Sequence, residues 1–219
     1  MADRRERRGI VAGLESRWRE AEGPQAPLVV FLHGLTGNED VMGTFEAGFP
    51  PTAGLLAPRA PFPFSGGGYS WVDPEQGPMP AMPAFAAAAQ AIARAVDEVQ
   101  HAGPLRALVL VGFSQGAALA MSAVTLGILC PTAVVALAGI LPPGDLPALQ
   151  SLPIYWAHGR HDEVVPVDRA RRDVERLRRA GASVTYCEAD VGHKLGAECL
   201  KGLRRWLATL PLDNSPRGA

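Results

Sequence analysis

The segment Gly112-Phe113-Ser114-Gln115-Gly116 decides the fold, because it lies between an apolar run and a run of small residues. The apolar run, residues 105–111, predicts a buried strand, and residues 115–126 predict a helix. A sharp turn from strand to helix strains the backbone at the serine, and the flanking glycines relieve the crowding. We therefore predict that Ser114 is a nucleophile at a helix N-terminus, whose dipole favours developing negative charge. The alternative is a glycine-rich turn with an incidental serine.

Apolar runs and helical patterns alternate on both sides of this segment. Strands are predicted at 28–32, 54–57, 105–111, 133–137, 154–157 and 184–187, and helices at 84–100, 115–126, 166–179 and 196–210. Because strands that alternate with helices form βαβ units, we predict an α/β fold with a mainly parallel central sheet and helices on both faces. Residues 10–20 are ambiguous between an edge hairpin and a short helix, and we favour the hairpin.

Length, composition and charge exclude several classes of protein. The 219 residues are 47% hydrophobic and 20% charged, which fits a single domain over residues 1–219 with a sizeable core. A net charge of −1 provides no positive field for nucleic acid, and no apolar run approaches the roughly 20 residues of a membrane span. The charged N-terminus has no apolar segment behind it, so no secretory signal is predicted.

The two ends of the chain are predicted to be flexible, over residues 1–8 and 212–219. The N-terminal arginines, Arg4, Arg5, Arg7 and Arg8, are diluted by Asp3 and Glu6. A solvated tail is therefore favoured over an arm that binds RNA or a membrane surface.

The cysteines and the loop histidines do not predict a metal site. Cys130, Cys187 and Cys199 are an odd number with no CxxC pair and no Cys/His cluster, which predicts free thiols in a reducing compartment and a cytoplasmic protein. The run Arg160-His161-Asp162 offers two ligands without a third partner nearby. We predict no metal and no organic cofactor.

A serine nucleophile needs a base, and the base needs a group that orients it. His193 follows the last predicted strand, in a loop at the same edge of the sheet as Ser114, and is the predicted base. A surface-loop histidine is the alternative. His158 also follows a predicted strand, but it precedes most of the acidic candidates, and the expected order is serine, acid, histidine.

Asp162 is the predicted acid, on the loop after the strand at 154–157. Its position leaves room for one helix and one strand before His193. Glu163 and Asp168 are rivals, although an acid in the first turn of a helix, where Asp168 falls, also stabilises the helix dipole. Asp190 is too close to His193 along the chain to reach its ring from another strand.

Two N–H groups must face the oxyanion that forms during acyl transfer. The Gln115 amide is one, because it follows the nucleophile. The segment His33-Gly34-Leu35-Thr36-Gly37 turns after an early strand, and its Leu35 N–H is the predicted second donor. The His33 ring is predicted to be structural.

The loops predict an open, shallow site without a lid. Only residues 138–152 separate the predicted strands at 133–137 and 154–157, which is too short for a separate cap domain over the site. The segment 58–83, rich in proline and glycine, is the candidate wall. Its Phe64, Tyr69 and Trp71 are candidates to bind substrate. For each, the alternative is an aromatic residue that holds the loop to the body.

Together these motifs resemble the α/β-hydrolase superfamily and, within it, the small carboxylesterase/phospholipase family that includes the acyl-protein thioesterases. The matching segments occur in the family's order and are His33-Gly34-Leu35-Thr36-Gly37, Gly112-Phe113-Ser114-Gln115-Gly116-Ala117, His158-Gly159-Arg160-His161-Asp162-Glu163-Val164-Val165-Pro166 and Gly192-His193. The resemblance implies an α/β-hydrolase fold, with Ser114, Asp162 and His193 as catalytic triad and the Leu35 and Gln115 amides as oxyanion hole. Two segments depart from the family pattern: residues 36–40, where an acidic pair is usual, and the glycine triplet at 66–68.

The resemblance implies a serine hydrolase that acts on a small-molecule ester. We expect hydrolysis of short- to medium-chain carboxylic esters by a monomer or homodimer. Within the same chemistry, the alternative is an acyl thioesterase or lysophospholipase that takes longer chains. The alternative from another class is a catalytically silent binding protein, which the complete set of site residues disfavours.

Overall fold

The computed structural model describes residues 6–23, 26–77, 80–100 and 107–212. Its strands are β1 (Arg7–Val11), β2 (Leu14–Arg19), β3 (Leu28–Leu32), β4 (Gly54–Pro58), β5 (Phe62–Pro63), β6 (Tyr69–Ser70), β7 (Leu108–Phe113), β8 (Ala133–Leu137), β9 (Pro153–Gly159) and β10 (Ser183–Ala189). Its helices are α1 (Ala86–Val99), α2 (Gln115–Thr125), α3 (Val167–Arg179) and α4 (Ala197–Leu207), with 3₁₀ helices at Val41–Gly48, Pro74–Gln76 and Met82–Phe85.

Eight strands form one sheet in the order β1-β2-β4-β3-β7-β8-β9-β10. The six strands from β4 to β10 in this order are parallel, whereas β1 and β2 form an antiparallel hairpin that pairs with β4 at one edge. The predicted α/β-hydrolase architecture is therefore confirmed, and so is the hairpin over residues 10–20. Strands β5 and β6 form a separate ribbon.

Successive side chains of a strand point to opposite faces of the sheet. Helices pack on both faces, so both sets of side chains are buried. Val30 and Leu32 pack with the apolar sides of α1, α2 and α3 on one face. Val29 and Phe31 pack with α4 and with the 3₁₀ helix Val41–Gly48 on the other. The central strands are therefore apolar at every position, which is why their sequences are continuous apolar runs.

The turns that follow β3, β7, β9 and β10 lie at one edge of the sheet, because parallel strands share their carboxyl ends. All four carry predicted site residues. Residues 138–152, after β8, form an irregular segment without a helix, so the expected absence of a cap domain is confirmed over that range.

Several boundaries differ from the prediction. Arg7 already begins β1, so the predicted flexible segment 1–8 is wrong at residues 7 and 8. Leu212, in the other predicted flexible end, is buried. The remaining predicted tail residues, 1–5 and 213–219, lie outside the described residues, as does the start of the predicted strand at 105–111.

The prediction of free thiols is wrong for two of the three cysteines. Cys187 in β10 and Cys199 in α4 form a disulfide, while Cys130 is free and exposed. Packing of α4 against β10 brings the two Cα atoms to 5.7 Å, a proximity that no Cys spacing motif announces. The cytoplasmic location that rested on free thiols stays a prediction. No helix within the described ranges is both long and apolar enough to cross a membrane.

Candidate active site

Ser114 lies at the turn between β7 and α2, in a backbone conformation that side chains other than glycine rarely adopt. Its φ is 52° and its ψ is −113°. The Ser114 N–H donates to the Leu137 carbonyl oxygen at 2.9 Å, and the Ser114 carbonyl accepts from the N–H groups of Ala117 and Ala118. These bonds on both sides of the residue hold it in the strained conformation, at the position predicted for a nucleophile.

The two glycines of the motif are required by close backbone approach. A Cβ on Gly112 would overlap the backbone of Gly116 and Ala117 in the first turn of α2. A Cβ on Gly116 would overlap the Leu32 and His33 carbonyls. Glycine at both positions therefore lets α2 begin directly against β7 and β3.

His193 and Asp162 form the acid–base contact that the sequence predicts. The Nδ1 of His193 lies 2.8 Å from Oδ2 of Asp162. The Asp162 side chain is 0% exposed, whereas that of His193 is 21% exposed. Oδ1 of Asp162 accepts the N–H groups of Val164 and Val165 at 2.9 and 2.8 Å. Because Nδ1 donates to the carboxylate, Nε2 of a neutral His193 is free to accept a proton.

The loops that carry the acid and the base are bonded to each other. The Arg160 N–H donates to the Ala189 carbonyl at 2.8 Å, and the His161 N–H donates to the Val191 carbonyl at 3.0 Å. The first of these bonds lies just beyond the last pair of the β9–β10 ladder. The register of two neighbouring strands thus sets the relative position of Asp162 and His193.

Ser114 lies near both other parts of the predicted site. A Cβ built on Gly34 would lie 3.3 Å from the Ser114 Cβ. The turn after β3 therefore lies against the turn between β7 and α2 that carries Ser114, which we call the elbow. The ring of Phe113 lies 5.0 Å from that of His193. Among the described residues no hydrogen bond joins the Ser114 hydroxyl to His193; in the absence of substrate such bonds are often long.

The turn after β3 is fixed through the Gly34 carbonyl. It accepts from His33 Nδ1 at 2.7 Å and from the Gly37 N–H at 3.0 Å. A carbonyl and the following N–H belong to one planar trans peptide and point in opposite directions. Fixing the Gly34 oxygen therefore fixes the direction of the Leu35 N–H, which has no acceptor among the described residues.

The His33 ring has the structural role predicted for it. Its Nε2 accepts the Ala60 N–H at 3.0 Å while Nδ1 donates to Gly34, so both nitrogens of a neutral ring are used. Burial lowers the pKa of His33, which favours this neutral form. The ring thereby connects the turn after β3 to the end of β4.

The ribbon formed by β5 and β6 supports the same turn. The Thr36 N–H donates to the Tyr69 carbonyl at 3.0 Å, and the Tyr69 N–H donates to the Gly37 carbonyl at 3.1 Å. Thr36 has a φ of 68°, and a Cβ on Gly68 would overlap its carbonyl oxygen. Part of the segment 58–83 is thus a support of the predicted oxyanion turn.

An ion pair lies beside this turn. Glu39, which is buried, accepts from Arg59 Nε at 2.7 Å and from a second guanidinium nitrogen. The Arg59 guanidinium holds the pKa of the Glu39 carboxyl below its usual range. It also lies 4.8 Å from the centre of the Tyr69 ring. The pair joins the chain after β3 to the chain after β4.

The predicted substrate-binding aromatics differ in their surroundings. Trp71 is 1% exposed, its indole N–H donates to the His33 carbonyl at 2.7 Å, and its ring lies 4.9 Å from that of His33. A wall of the pocket is therefore the wrong role for Trp71, which holds the loop to the body. Tyr69 is half-buried beneath Arg59. Phe64 is half-buried beside the ribbon and stays a candidate.

Gln115 contributes a second feature that the sequence does not reveal. Its side-chain Oε1 accepts the Trp71 N–H at 2.9 Å, so the residue also anchors the loop after β6. Its backbone N–H belongs to the first residue of α2, which has no acceptor within the helix. Hydrogen bonds thus hold both residues that carry the predicted oxyanion donors, Leu35 through the preceding Gly34 carbonyl and Gln115 through its side chain.

The rival acids form no hydrogen bond or ion pair with His193 among the described residues. Asp168 pairs with Arg171 at 2.9 Å on the surface of α3. Asp190 pairs with His161 at 2.6 Å, and both side chains are exposed. Glu163 is exposed. Of the acidic candidates, Asp162 is the one that the fold brings to the predicted base.

Two aromatic residues beside the base were not predicted. Phe113 contacts His193 and is stacked with Phe45, at a centroid distance of 6.5 Å. Phe113 directly precedes Ser114 in the motif, so its position in the sequence could have placed it near the base. Phe45 lies in the 3₁₀ helix Val41–Gly48, where no structure was predicted. The described residues include no cluster of three or more potential metal ligands.

Comparisons with known proteins identify relatives over most of the chain. A sequence profile of the phospholipase/carboxylesterase family matches residues 16–210. A probable inactive carboxylesterase of Oryza sativa subsp. japonica is 27% identical over 210 residues, covering 85% of this chain and 86% of that protein. A probable carboxylesterase of the same plant is 28% identical over 206 residues, with coverages of 82% and 76%. The carboxylesterase structure from Mesorhizobium loti has a TM-score of 0.76 at 24% identity, covering 91% and 96%, and shows the fold alone.

Proposed function

Because the chain belongs to the phospholipase/carboxylesterase family of α/β-hydrolases, we propose that it is a serine carboxylesterase that forms an acyl-enzyme on Ser114. The observation that carries this proposal is the 2.8 Å contact between His193 and the buried Asp162 carboxylate. It lies at the same sheet edge as the strained Ser114 turn. A nucleophile, a base and an orienting acid on three neighbouring loops are the elements of nucleophilic ester hydrolysis.

In the first step, His193 Nε2 takes the proton of the Ser114 hydroxyl as its oxygen attacks the ester carbonyl. The oxyanion forms opposite the Leu35 and Gln115 N–H groups. Asp162 stabilises the imidazolium through the Nδ1 contact. Preorganised donors of this kind contribute about 3 kcal/mol each to the transition state, and the fixed Gly34 carbonyl keeps one of them in place.

In the second step, the tetrahedral intermediate collapses and the alcohol leaves with the proton from His193. Water then loses a proton to the same nitrogen and attacks the acyl group on Ser114. The bond between the acyl carbon and the Ser114 oxygen then breaks, His193 returns its proton to that oxygen, and the carboxylic acid leaves. The groups of this chain that take part in these steps are side chains and backbone N–H groups, and water is the second nucleophile.

The substrates that we propose are short- to medium-chain carboxylic esters. The irregular segment 138–152, which contains no cap domain, supports an open and shallow site. A thioesterase or lysophospholipase acting on longer chains is the alternative. A longer pocket would raise kcat/KM with acyl length, so the two predict opposite trends.

A silent member of the family is the remaining alternative, since one relative is described as probably inactive. The contact between His193 and Asp162 and the strained φ of Ser114 argue against it here. A binding protein would gain nothing from keeping a residue in a conformation that costs about 1–3 kcal/mol.

The test is hydrolysis of p-nitrophenyl acetate, butyrate and octanoate by the natural protein, by Ser114→Ala and by Ser122→Ala. Ser122 is a buried serine in α2, the helix that begins directly after Ser114, and is the matched control. We expect turnover that Ser114→Ala abolishes and Ser122→Ala retains, with the highest kcat/KM on acetate or butyrate. Full activity in Ser114→Ala would reject the mechanism, and a rise towards octanoate would favour the longer-chain alternative.

The oligomeric state, monomer or homodimer, is proposed as predicted from the sequence. Sedimentation equilibrium measures it directly, and a higher assembly would reject the proposal.

A further inference from the structure

His158 is a buried histidine that the proposed reaction does not use. It lies next to the last residue of β9, and its side chain is 0% exposed. It cannot reach a substrate from this position. Its Nε2 lies 2.8 Å from the Val165 carbonyl oxygen and 3.3 Å from Oδ2 of Asp162. The histidine therefore contacts the proposed acid within the protein interior, through the same carboxylate oxygen that contacts His193.

The protonation of this ring follows from its partners. A carbonyl oxygen only accepts, so the bond to Val165 requires a proton on Nε2. The Nδ1 is buried and has no partner among the described residues. A proton there would have no acceptor, which favours the tautomer with Nε2–H and a bare Nδ1.

The Val165 peptide unit completes a closed arrangement around the carboxylate. Its N–H donates to Oδ1 of Asp162 at 2.8 Å, while its carbonyl accepts from His158. Oδ2 of Asp162 faces two imidazoles, that of His193 at 2.8 Å and that of His158 at 3.3 Å. These are the titratable groups that face Asp162 among the described residues; no lysine or arginine there pairs with it.

We propose that His158 is a positioning residue of the reaction. Through its Nε2–H it holds Val165 and Asp162 so that Oδ2 is directed at His193 Nδ1. The inference rests on the proposed function. It assigns a role to a histidine that is isolated from solvent and contacts the proposed acid.

The position of the donor distinguishes this role from simple packing. Glutamine carries an N–H donor at the reach of Nε2, asparagine carries one only at the reach of Nδ1, and leucine fills the volume without a donor. If His158 only packed, leucine would be the best replacement at a buried site, because its side chain brings no polar atom that would itself need a partner. If the donor matters, His158→Gln is the variant that retains activity.

The experiment compares His158→Gln, His158→Asn and His158→Leu with p-nitrophenyl butyrate. We expect kcat to fall about 10- to 100-fold in the leucine and asparagine variants, since small misplacements of catalytic groups have effects of this size. KM should change by less than about twofold, because His158 does not contact substrate. The glutamine variant should stay within about fivefold of the natural kcat.

Thermal unfolding of each variant separates activity from folding. The matched control is His161→Leu, which changes an exposed histidine three residues further along the chain, on the loop after β9, and should leave kcat unchanged. If His158→Leu does not fold, the pair of amide variants decides by itself. Equal kcat values in all three variants, or an equal loss in all three, would overturn the positioning role. Loss of activity in Ser114→Ala together with either result would leave the proposed function standing.

Discussion

Two His–Asp pairs join the loop after β9 to the loop after β10, and they are built in opposite senses. In one, Asp162 on the first loop meets His193 on the second at 2.8 Å. In the other, His161 on the first loop meets Asp190 on the second at 2.6 Å. The shorter contact belongs to the pair in water, in which the side chains are 70% and 79% exposed.

Distance therefore does not identify the functional pair. The Asp162 carboxylate is shielded from solvent and accepts further bonds from backbone N–H groups, while Asp190 has only its exposed partner among the described residues. An exposed pair contributes about 0–1 kcal/mol and is screened by salt. A buried acid with several donors has one orientation, and that orientation is what a base such as His193 needs.

The largest expected effect on kcat distinguishes the two acids, Asp162 and Asp190, when each is replaced in turn. Asp162→Asn replaces the acceptor of His193 Nδ1–H by an amide, which leaves the ring in the wrong tautomer and should lower kcat about 10⁴-fold. Asp190→Asn should change kcat by less than about twofold, since its partner is solvated. Steady-state kinetics on p-nitrophenyl butyrate measure both. Comparable losses of kcat in the two variants would show that burial does not distinguish the functional His–Asp pair from the exposed one.

A smaller effect is expected when the segment that carries one member of each pair is released. The disulfide between Cys187 and Cys199 encloses both Asp190 and His193. Replacing both cysteines by alanine should lower the free energy of unfolding by about 2–3 kcal/mol, because the unfolded chain regains the entropy of the closed loop. Urea unfolding measures this, with Cys130→Ala as the control. A stability unchanged in the double variant would show that the packing of α4 alone holds the segment.

The smallest expected effect is on the pH dependence of stability, through His33, a buried histidine that belongs to neither His–Asp pair. Burial lowers its pKa below the ordinary value of 6.5, so the folded protein binds fewer protons than the unfolded chain below that pH. Stability contributed by neutral His33 is therefore present above about pH 6.5 and is lost as the pH falls further. Urea unfolding at about pH 7.5 and pH 5 should show a greater loss in the natural protein than in His33→Gln. An equal loss in both would exclude His33 as its source.

The sequence predicts well those parts of the fold whose structure depends mainly on neighbouring residues in the chain. Strands β3 and β8 have their predicted limits because each is a continuous apolar run, buried on both faces. The elbow at Ser114 is predictable because both of the glycines that it requires, Gly112 and Gly116, lie within two residues of the serine. By contrast, the ribbon of β5 and β6 has two residues in each strand, too few to produce an alternating pattern.

Features that depend on packing between distant elements were not predictable. The Cys187–Cys199 bond requires α4 to lie on β10, and the burial of Trp71 requires its loop to fold back over His33. The choice of Asp162 over its rivals was made from chain order. The structure adds the reason, which is that β9 and β10 are neighbours in the sheet. The contact of His158 with Asp162 has no counterpart in any spacing rule.

At position 114, the residue that catalysis needs differs from the residue that would make the protein most stable, because the backbone there is strained for serine. A φ of 52° with a ψ of −113° suits glycine, which has no Cβ to crowd the turn. Exchange to glycine would relax the turn and remove the nucleophile in the same step. Selection of variants for heat resistance alone thus favours loss of this serine, whereas selection for turnover retains it against a standing energetic disadvantage. Any programme that stabilises this protein by directed evolution must therefore screen for catalysis at every round.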